Sequence, residues 1–280
     1  MKMLTLPSDA KDKYISDGYY LAQDLSSLDY INDVLMDINI IIKRHLLYYN
    51  LPINKSDEIA GLHENLSTMY RFDQSLYLAT LHVLSKIKSL YEIFLSKEVA
   101  SVCLEFGIAL PIMHTHPLFH IMSNRLRFAQ GYHGFEAHQD WTGLQTSLNA
   151  IVVWLPFHDV DKVRFPLEVL PQSHLQGLCP GAIDNNEYTI DDSYLCDKEF
   201  MPIEVNAGDV VFMSPFTVHR TGVTNSDDLR IAASWRFEDA LEETFISRKY
   251  PFAQSRLIQH DLFFPDFPNA EQIKKAIHFT

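Results

Sequence analysis

A change of hydrophobic period near Pro111 is the feature that most constrains what this chain can fold into. Between about Leu25 and Leu110 only two glycines occur, and apolar residues recur every three or four positions. Leu28, Ile31, Val34, Leu35, Ile38 and Ile42 make one such stripe, and Tyr77, Leu81, Leu84, Ile87 and Tyr91 make another, so both read as the buried faces of helices. Ser26 and Ser27 stand where the first helix needs a cap. Beyond Pro111 the pattern becomes short apolar runs. Leu148–Leu155 holds Ile151, Val152, Val153 and Trp154 in succession, which marks a strand buried on both faces. Pro166–Leu170, Val210–Met213, Val218–Val223 and Ile231–Phe237 read as further strands, with turn residues at Asn206–Asp209 and Asn225–Asp228. Helices followed by many short strands predict an α+β protein with a mainly β core, a sandwich or barrel against which the helices lean. There is no repeat and no linker, so one domain over 1–280 is expected. It would be mainly helical to about 110 and β over about 111–240, with a C-terminal extension over 241–280.

The charge balance excludes some partners. Acidic side chains number 36 against 23 basic, a formal net charge of −13, which leaves no broad basic face for nucleic acid. Cys103, Cys179 and Cys196 fall in no metal-binding spacing and read as reduced thiols. The segment Met1–Tyr14 lacks the apolar core of a signal peptide, and no apolar run approaches the roughly 18 residues of a membrane span. A cytoplasmic protein is expected, with no membrane association, and no feature suggests a protein partner.

His138-Gln139-Asp140 carries the clearest chemistry. On an extended strand residues i and i+2 face the same side, so His138 and Asp140 can offer an imidazole and a carboxylate to one ion. His219, after the Gly208–Phe212 turn and strand, is placed to be a third ligand. Two histidines and one carboxylate on one face of a metal leave the other face open, the arrangement of non-haem Fe(II) oxygenases. Thr221 shares a strand face with His219, and Arg230 is expected on a returning antiparallel strand within cross-strand reach. A guanidinium beside a hydroxyl makes a receptor for a buried carboxylate such as that of a 2-oxoacid. The apolar flanks Leu229 and Ile231-Ala232-Ala233 favour that role over a surface ion pair with Asp227, Asp228 or Glu238.

At these residues the sequence resembles the phytanoyl-CoA dioxygenase-like group of Fe(II)/2-oxoglutarate oxygenases. The resemblance runs from about Asp17 to Asp239 and is densest in His138–Trp141, Asn149–Asp161, Leu170–His174, Gly208–His219 and Leu229–Phe237. It implies a double-stranded β-helix, the cupin-like jelly roll, with helices outside. It also implies that His138, Asp140 and His219 hold Fe(II), and that Arg230, with help from Thr221, binds the distal carboxylate of the cosubstrate 2-oxoglutarate. Trp154 matches a position lining the cosubstrate pocket, and is equally readable as a core residue. Gln139 and Trp141, flanking the carboxylate ligand, are candidates for substrate contact. The implied reaction uses O2 to hydroxylate a C–H bond of a small molecule, releasing succinate and CO2. Because Asp140 fills the carboxylate position, no place is freed for halide, and halogenation is not expected.

Two departures from the pattern stand out. Phe165 occupies a turn position that is usually Gly, and Pro171-Gln172-Ser173-His174 replaces Pro-Gly-Ser-His, so both local loops lack the residue that most readily takes φ > 0. The run His114-Thr115-His116-Pro117-Leu118-Phe119-His120 reads as a polar loop or pocket rim, or as a separate zinc site. Arg125 and Arg127, expected on a strand before the His138 motif, are candidates for an acidic substrate group or for salt bridges. Two other readings remain: a catalytically silent jelly-roll binding protein, and a cupin-like metalloenzyme that does not use 2-oxoglutarate and has no need of Arg230.

Overall fold

The computed structural model describes residues 6–113, 115–127, 134–184 and 187–251. Helices dominate as far as Glu105: α1 (Ala10–Asp17), α2 (Leu28–Tyr48), α3 (Ile59–Phe72), α4 (Gln74–Leu84), α5 (Lys88–Phe94) and α6 (Lys97–Glu105). Short helices α7 (Asp140–Leu144), α8 (Asp192–Leu195) and α9 (Glu243–Ser247) come later. Ser27 caps α2, its hydroxyl accepting from the Asp29 N–H. The first stripe is the buried face of α2 through Ile31, Val34, Ile38 and Ile42, extended by Leu46, whereas Leu28 in the first turn is exposed. The second stripe divides between two helices, because the chain breaks at Ser85–Ile87 and restarts as α5. Among the described residues no helix is long and apolar enough to cross a membrane.

The strands are β1 (Tyr19–Ala22), β2 (Pro111–Ile112), β3 (Leu118–Met122), β4 (Ala150–Pro156), β5 (Leu167–Val169), β6 (Gly181–Asp184), β7 (Glu187–Ile190), β8 (Met201–Ile203), β9 (Val210–Met213), β10 (His219–Thr221) and β11 (Arg230–Asp239). One antiparallel sheet has the order β1-β9-β4-β11-β2, with β3 also paired to β11; a second is β10-β5-β8; β6 and β7 form a separate hairpin. The strand expected to carry Arg125 and Arg127 ends at Met122, and Arg125 lies on a 3-10 turn, Asn124–Leu126.

Period-2 alternation builds the layers. In β4, Ile151, Val153 and Leu155 join the core shared with the helices, while Val152 and Trp154 join a second core with Leu167, Val169 and Ile203 of the smaller sheet. In β11, Ile231, Ala233, Trp235 and Phe237 face the helices. Arg230, Ala232, Ser234 and Arg236 therefore face the space between the two sheets. The expected pairing of the His219 strand with the Arg230 strand does not form: β10 pairs with β5, and β11 lies in the larger sheet against β3 and β4. Arg230 consequently reaches the His219 region across the gap between sheets, not along one.

The two positions that lack the expected glycine retain its backbone conformation, with φ of 51° at Phe165 and 64° at Gln172. They differ in what the side chain contributes, since Phe165 is buried and Gln172 exposed. Left-handed backbone costs an L-residue roughly 1–2 kcal/mol, and a glycine returns about 0.5–1 kcal/mol of that through its freer unfolded chain. Gln172→Gly should therefore raise stability by about 0.5 kcal/mol, or ~1–2 °C in Tm. Phe165→Gly should lower it by more than about 2 kcal/mol, because the lost ring outweighs the relieved strain. Thermal denaturation of the two variants decides the matter: shifts of the same sign would contradict it.

Candidate active site

His138 and His219 form an isolated antiparallel bridge, each N–H donating to the other's carbonyl at 3.0 Å. The bridge sets the imidazoles side by side, ring centroids 4.3 Å apart. Each Nδ1 lies against a backbone carbonyl, that of Glu136 at 2.7 Å and that of Thr217 at 3.0 Å. A carbonyl can only accept, so Nδ1 carries the proton on both rings and both Nε2 lone pairs are left for a ligand. The strand expected over His138–Asp140 stops early. Gln139 is extended, with φ −113° and ψ 128°, and Asp140 opens α7. That single extended residue still delivers the carboxylate to the side of His138.

Asp140 Oδ1 accepts from Arg236 Nη2 at 2.6 Å, while Oδ2 is buried with no hydrogen-bond partner among the described residues. His219 Nε2 stands 3.7 Å from Oδ2 and His138 Nε2 stands 3.8 Å from Oδ1. One ligand atom from each residue lies within 4.8 Å of the other two. Such separations are too long for hydrogen bonds and suit three donors around one cation. A buried carboxylate oxygen without a donor is costly, and a divalent metal between two imidazole nitrogens removes that cost. The donor set fits non-haem iron.

Electrostatics prepares these groups. Burial alone would raise the Asp140 carboxyl, but the Arg236 guanidinium and the two imidazoles outweigh it and hold the acid well below the usual carboxylate range. Burial, reinforced by neighbouring His138, pulls the His219 imidazole down to about 4, so it is neutral and able to ligate at pH 7.

The inner face of β11 supplies residues that spacing alone did not single out. Arg236 Nη1 donates to Ser234 Oγ at 3.0 Å, and Ser234 Oγ lies 2.9 Å from His120 Nε2 on β3. His120 is held well below its ordinary value by burial and then by Arg230 and Arg236. The signal was present as alternation: Arg230, Ser234 and Arg236 fall on every second residue of an otherwise apolar run, as do Leu118, His120 and Met122. Of the run read as a pocket rim or a separate zinc site, His114 lies outside the described residues, His116 is exposed, and His120 bonds Ser234 and lines a cavity with Arg230.

Arg230 is 3% exposed, with its guanidinium carbon 6.0 Å from the Trp154 ring centre. With Thr221, Trp154, Ser234 and His120 it lines a cavity that ends at His138 and His219. Trp154 belongs to the inter-sheet core and also forms a wall of this cavity. Thr221 Oγ1 accepts from the Phe135 N–H at 3.2 Å. The neighbouring Gly134 has φ +100°, and a Cβ there would meet the Thr221 side chain at 2.5–2.7 Å, so only glycine lets this loop lie against the cavity.

A larger cavity of about 310 Å3 opens on the other side of the triad, between Leu118, Phe135, Thr142 and the hairpin residues Tyr188 and Thr189. His138, Phe135 and Arg236 border both cavities. Gln139 lines the larger one, but its amide is committed to backbone: Nε2 donates to Gly177 O and Phe216 O, and Oε1 accepts from the Cys179 N–H. Trp141 turns away to stack on Phe216, centroids 5.5 Å apart, and lines neither cavity. Arg127 borders a separate small cavity with Tyr77 and Phe165, remote from the expected substrate contact.

Comparison with solved structures finds the same fold in several enzymes. The epimerase SnoN, in complex with Fe3+, alpha ketoglutarate and nogalamycin RO, is 16% identical over 82% of each chain, with a TM-score of 0.56. The carbocyclase SnoK, from nogalamycin biosynthesis, is 18% identical over 87% of this chain and 90% of its own, with a TM-score of 0.55. EctD from S. alaskensis, with 2-oxoglutarate and 5-hydroxyectoine, is 13% identical over 85% of this chain and 77% of its own, with a TM-score of 0.53. No curated protein sequence matches. The family model of phytanoyl-CoA dioxygenase matches residues 54–232, well over half of the chain and inclusive of His138, Asp140, His219 and Arg230. The chain therefore belongs to the phytanoyl-CoA dioxygenase family, a family of non-haem iron enzymes that use 2-oxoglutarate.

Proposed function

We propose that this protein hydroxylates a C–H bond of a small molecule, coupling that step to the conversion of 2-oxoglutarate and O2 into succinate and CO2. One oxygen atom enters the product and the other enters succinate, so the atoms balance without a further reductant. The observation that carries the reading is the buried Asp140 Oδ2, without a donor among the described residues, within ligand distance of two imidazoles whose protons are held elsewhere. In this reading residues 1–280 form one oxygenase domain built on a double-stranded β-helix.

His138, Asp140 and His219 would hold Fe(II), which supplies the oxidising chemistry when bound with its cosubstrate. Arg230 receives the distal carboxylate of 2-oxoglutarate, with the Thr221 hydroxyl beside it and the Trp154 ring as a flat wall. The 310 Å3 cavity holds the primary substrate on the far side of the triad. Its walls are aromatic and aliphatic with threonine hydroxyls between them, which suits a neutral compact molecule. Among the described residues lining it, the charged groups apart from the exposed Glu136 are Arg236 and Asp140, already paired with each other, and there is no lysine to meet the phosphates of a CoA thioester.

Two expected outcomes follow. His138→Ala or Asp140→Ala should abolish Fe(II) binding and turnover while the fold persists, and unchanged iron stoichiometry in both would refute the assignment. Arg230→Leu should leave Fe(II) affinity nearly intact but weaken 2-oxoglutarate by about 30-fold to 4,000-fold. That range corresponds to the roughly 2–5 kcal/mol lost when one partner of a buried charged pair is removed. Arg230→Lys should recover only part, since an ammonium cannot form the two-pronged pair. Anaerobic titration of 2-oxoglutarate into the Fe(II) proteins, followed by the visible charge-transfer band, measures both. Equal affinity in wild type and Arg230→Leu would make the arginine structural. A wild type without any band would favour a silent relative or an enzyme that does not use 2-oxoglutarate.

A further inference from the structure

We infer that Arg236 is a positioning residue that holds Asp140 to ligation through a single oxygen and so keeps the remaining positions of the metal open. The inference rests on the metal centre proposed above and adds to it a residue beyond the span of the family match, which ends at residue 232.

The two oxygens of Asp140 are already sorted. Oδ1 is engaged by Arg236 Nη2 at 2.6 Å, and Oδ2 has no donor among the described residues. A charge-assisted contact of that length is among the stronger hydrogen bonds in proteins, so Oδ1 is not readily released. The guanidinium is in turn fixed before any metal arrives. Its β11 backbone is buried along its whole length, its Nη1 is tied to Ser234 Oγ, and Ser234 is tied to His120. A cation approaching both oxygens at once would also move toward the guanidinium charge, whereas one that stays on the Oδ2 side keeps the carboxylate between the two positive charges.

The consequence is a count of positions. Two imidazoles and one oxygen would leave three places on a six-coordinate metal, and a chelating 2-oxoacid would use two of them, so one would stay open. A carboxylate bound through both oxygens would take that last place. Arg236 also borders both cavities, which puts the residue controlling the carboxylate at the boundary between cosubstrate and substrate.

Mn(II) is a suitable probe, because water-proton relaxation counts the waters bound to it and needs no turnover. At saturating Mn(II), wild type should behave as a site with three open positions, retaining one after 2-oxoglutarate is added. In Arg236→Met the released Asp140 should bind through both oxygens. The inner-sphere relaxation should then fall by about one third, and what remains should vanish when 2-oxoglutarate is added. Arg236→Lys, which keeps one charged donor, should resemble wild type. A purely structural arginine would change stability and leave the water count alone, so equal counts in wild type and Arg236→Met overturn the inference. Should Arg236→Met fail to fold, the structure of the wild-type Mn(II) complex decides. Asp140 bound through Oδ2 with Arg236 on Oδ1 supports the inference; two bound oxygens, or a displaced guanidinium, overturn it. A wild type that binds no Mn(II) would instead remove the metal centre itself, and this inference with it.

Discussion

Every residue of β11 is buried, although the strand carries two arginines, a glutamate and an aspartate. Burying charge is tolerable only where it is paired, and β11 meets that condition by giving its two faces different surroundings. One face packs Ile231, Ala233, Trp235 and Phe237 against the helices; the other presents Arg230, Ser234 and Arg236 to the gap between sheets. A register slip of one residue would exchange the faces, driving guanidinium groups into the apolar core and Trp235 into the site. The hydrophobic core thus enforces the alignment of the polar one. Antiparallel pairing with β3 and β4 carries the same constraint to His120, Trp154 and Val152, which lie opposite Ala232, Ser234 and Arg236.

Within that gap the charge that can be traced is paired. Asp140 is bonded to Arg236, Arg220 is bonded to Glu168, and His219 is held neutral by its burial. Arg220, Arg230 and Arg236 all border the cavity that ends at His138 and His219, so an anion entering it meets guanidinium groups whose field is little screened by water.

Much of this was legible in the chain. The helical stripe of α2, the two-sided burial of β4 and the grouping of His138, Asp140 and His219 follow from period and spacing. The resemblance, by contrast, left the loops at Phe165 and Gln172 open, since both lack the family's usual glycine, and both keep the left-handed backbone nonetheless. Less legible was anything that depends on which strands pair. Adjacent segments usually form hairpins, which would put Arg230 on the strand beside His219, yet the turn between them crosses from one sheet to the other. The role of Arg236 and the partner of His120 likewise arise only when β11 and β3 lie side by side. Trp141 flanks Asp140 and Arg127 falls where a strand was expected before His138, but the helical turn at Asp140 and the 3-10 turn at Asn124 send both side chains elsewhere.

Gln139 has a consequence of a different kind. Its amide joins the backbone at Gly177, Cys179 and Phe216, so the residue between His138 and Asp140 is also the bracket from which the β6–β7 hairpin hangs, beginning at Gly181. Tyr188 reinforces that attachment by donating its hydroxyl to Cys179 O. The hairpin belongs to neither main sheet, and its outer residues are free to change without disturbing the pairing of the core strands. Its stem is not, because a shift at Gly177–Cys179 would be transmitted through one side chain to His138 and Asp140. The hairpin thus divides its labour: variation at Tyr188 and Thr189 reshapes the larger cavity, while constancy at Gly177–Cys179 preserves the placement of His138 and Asp140.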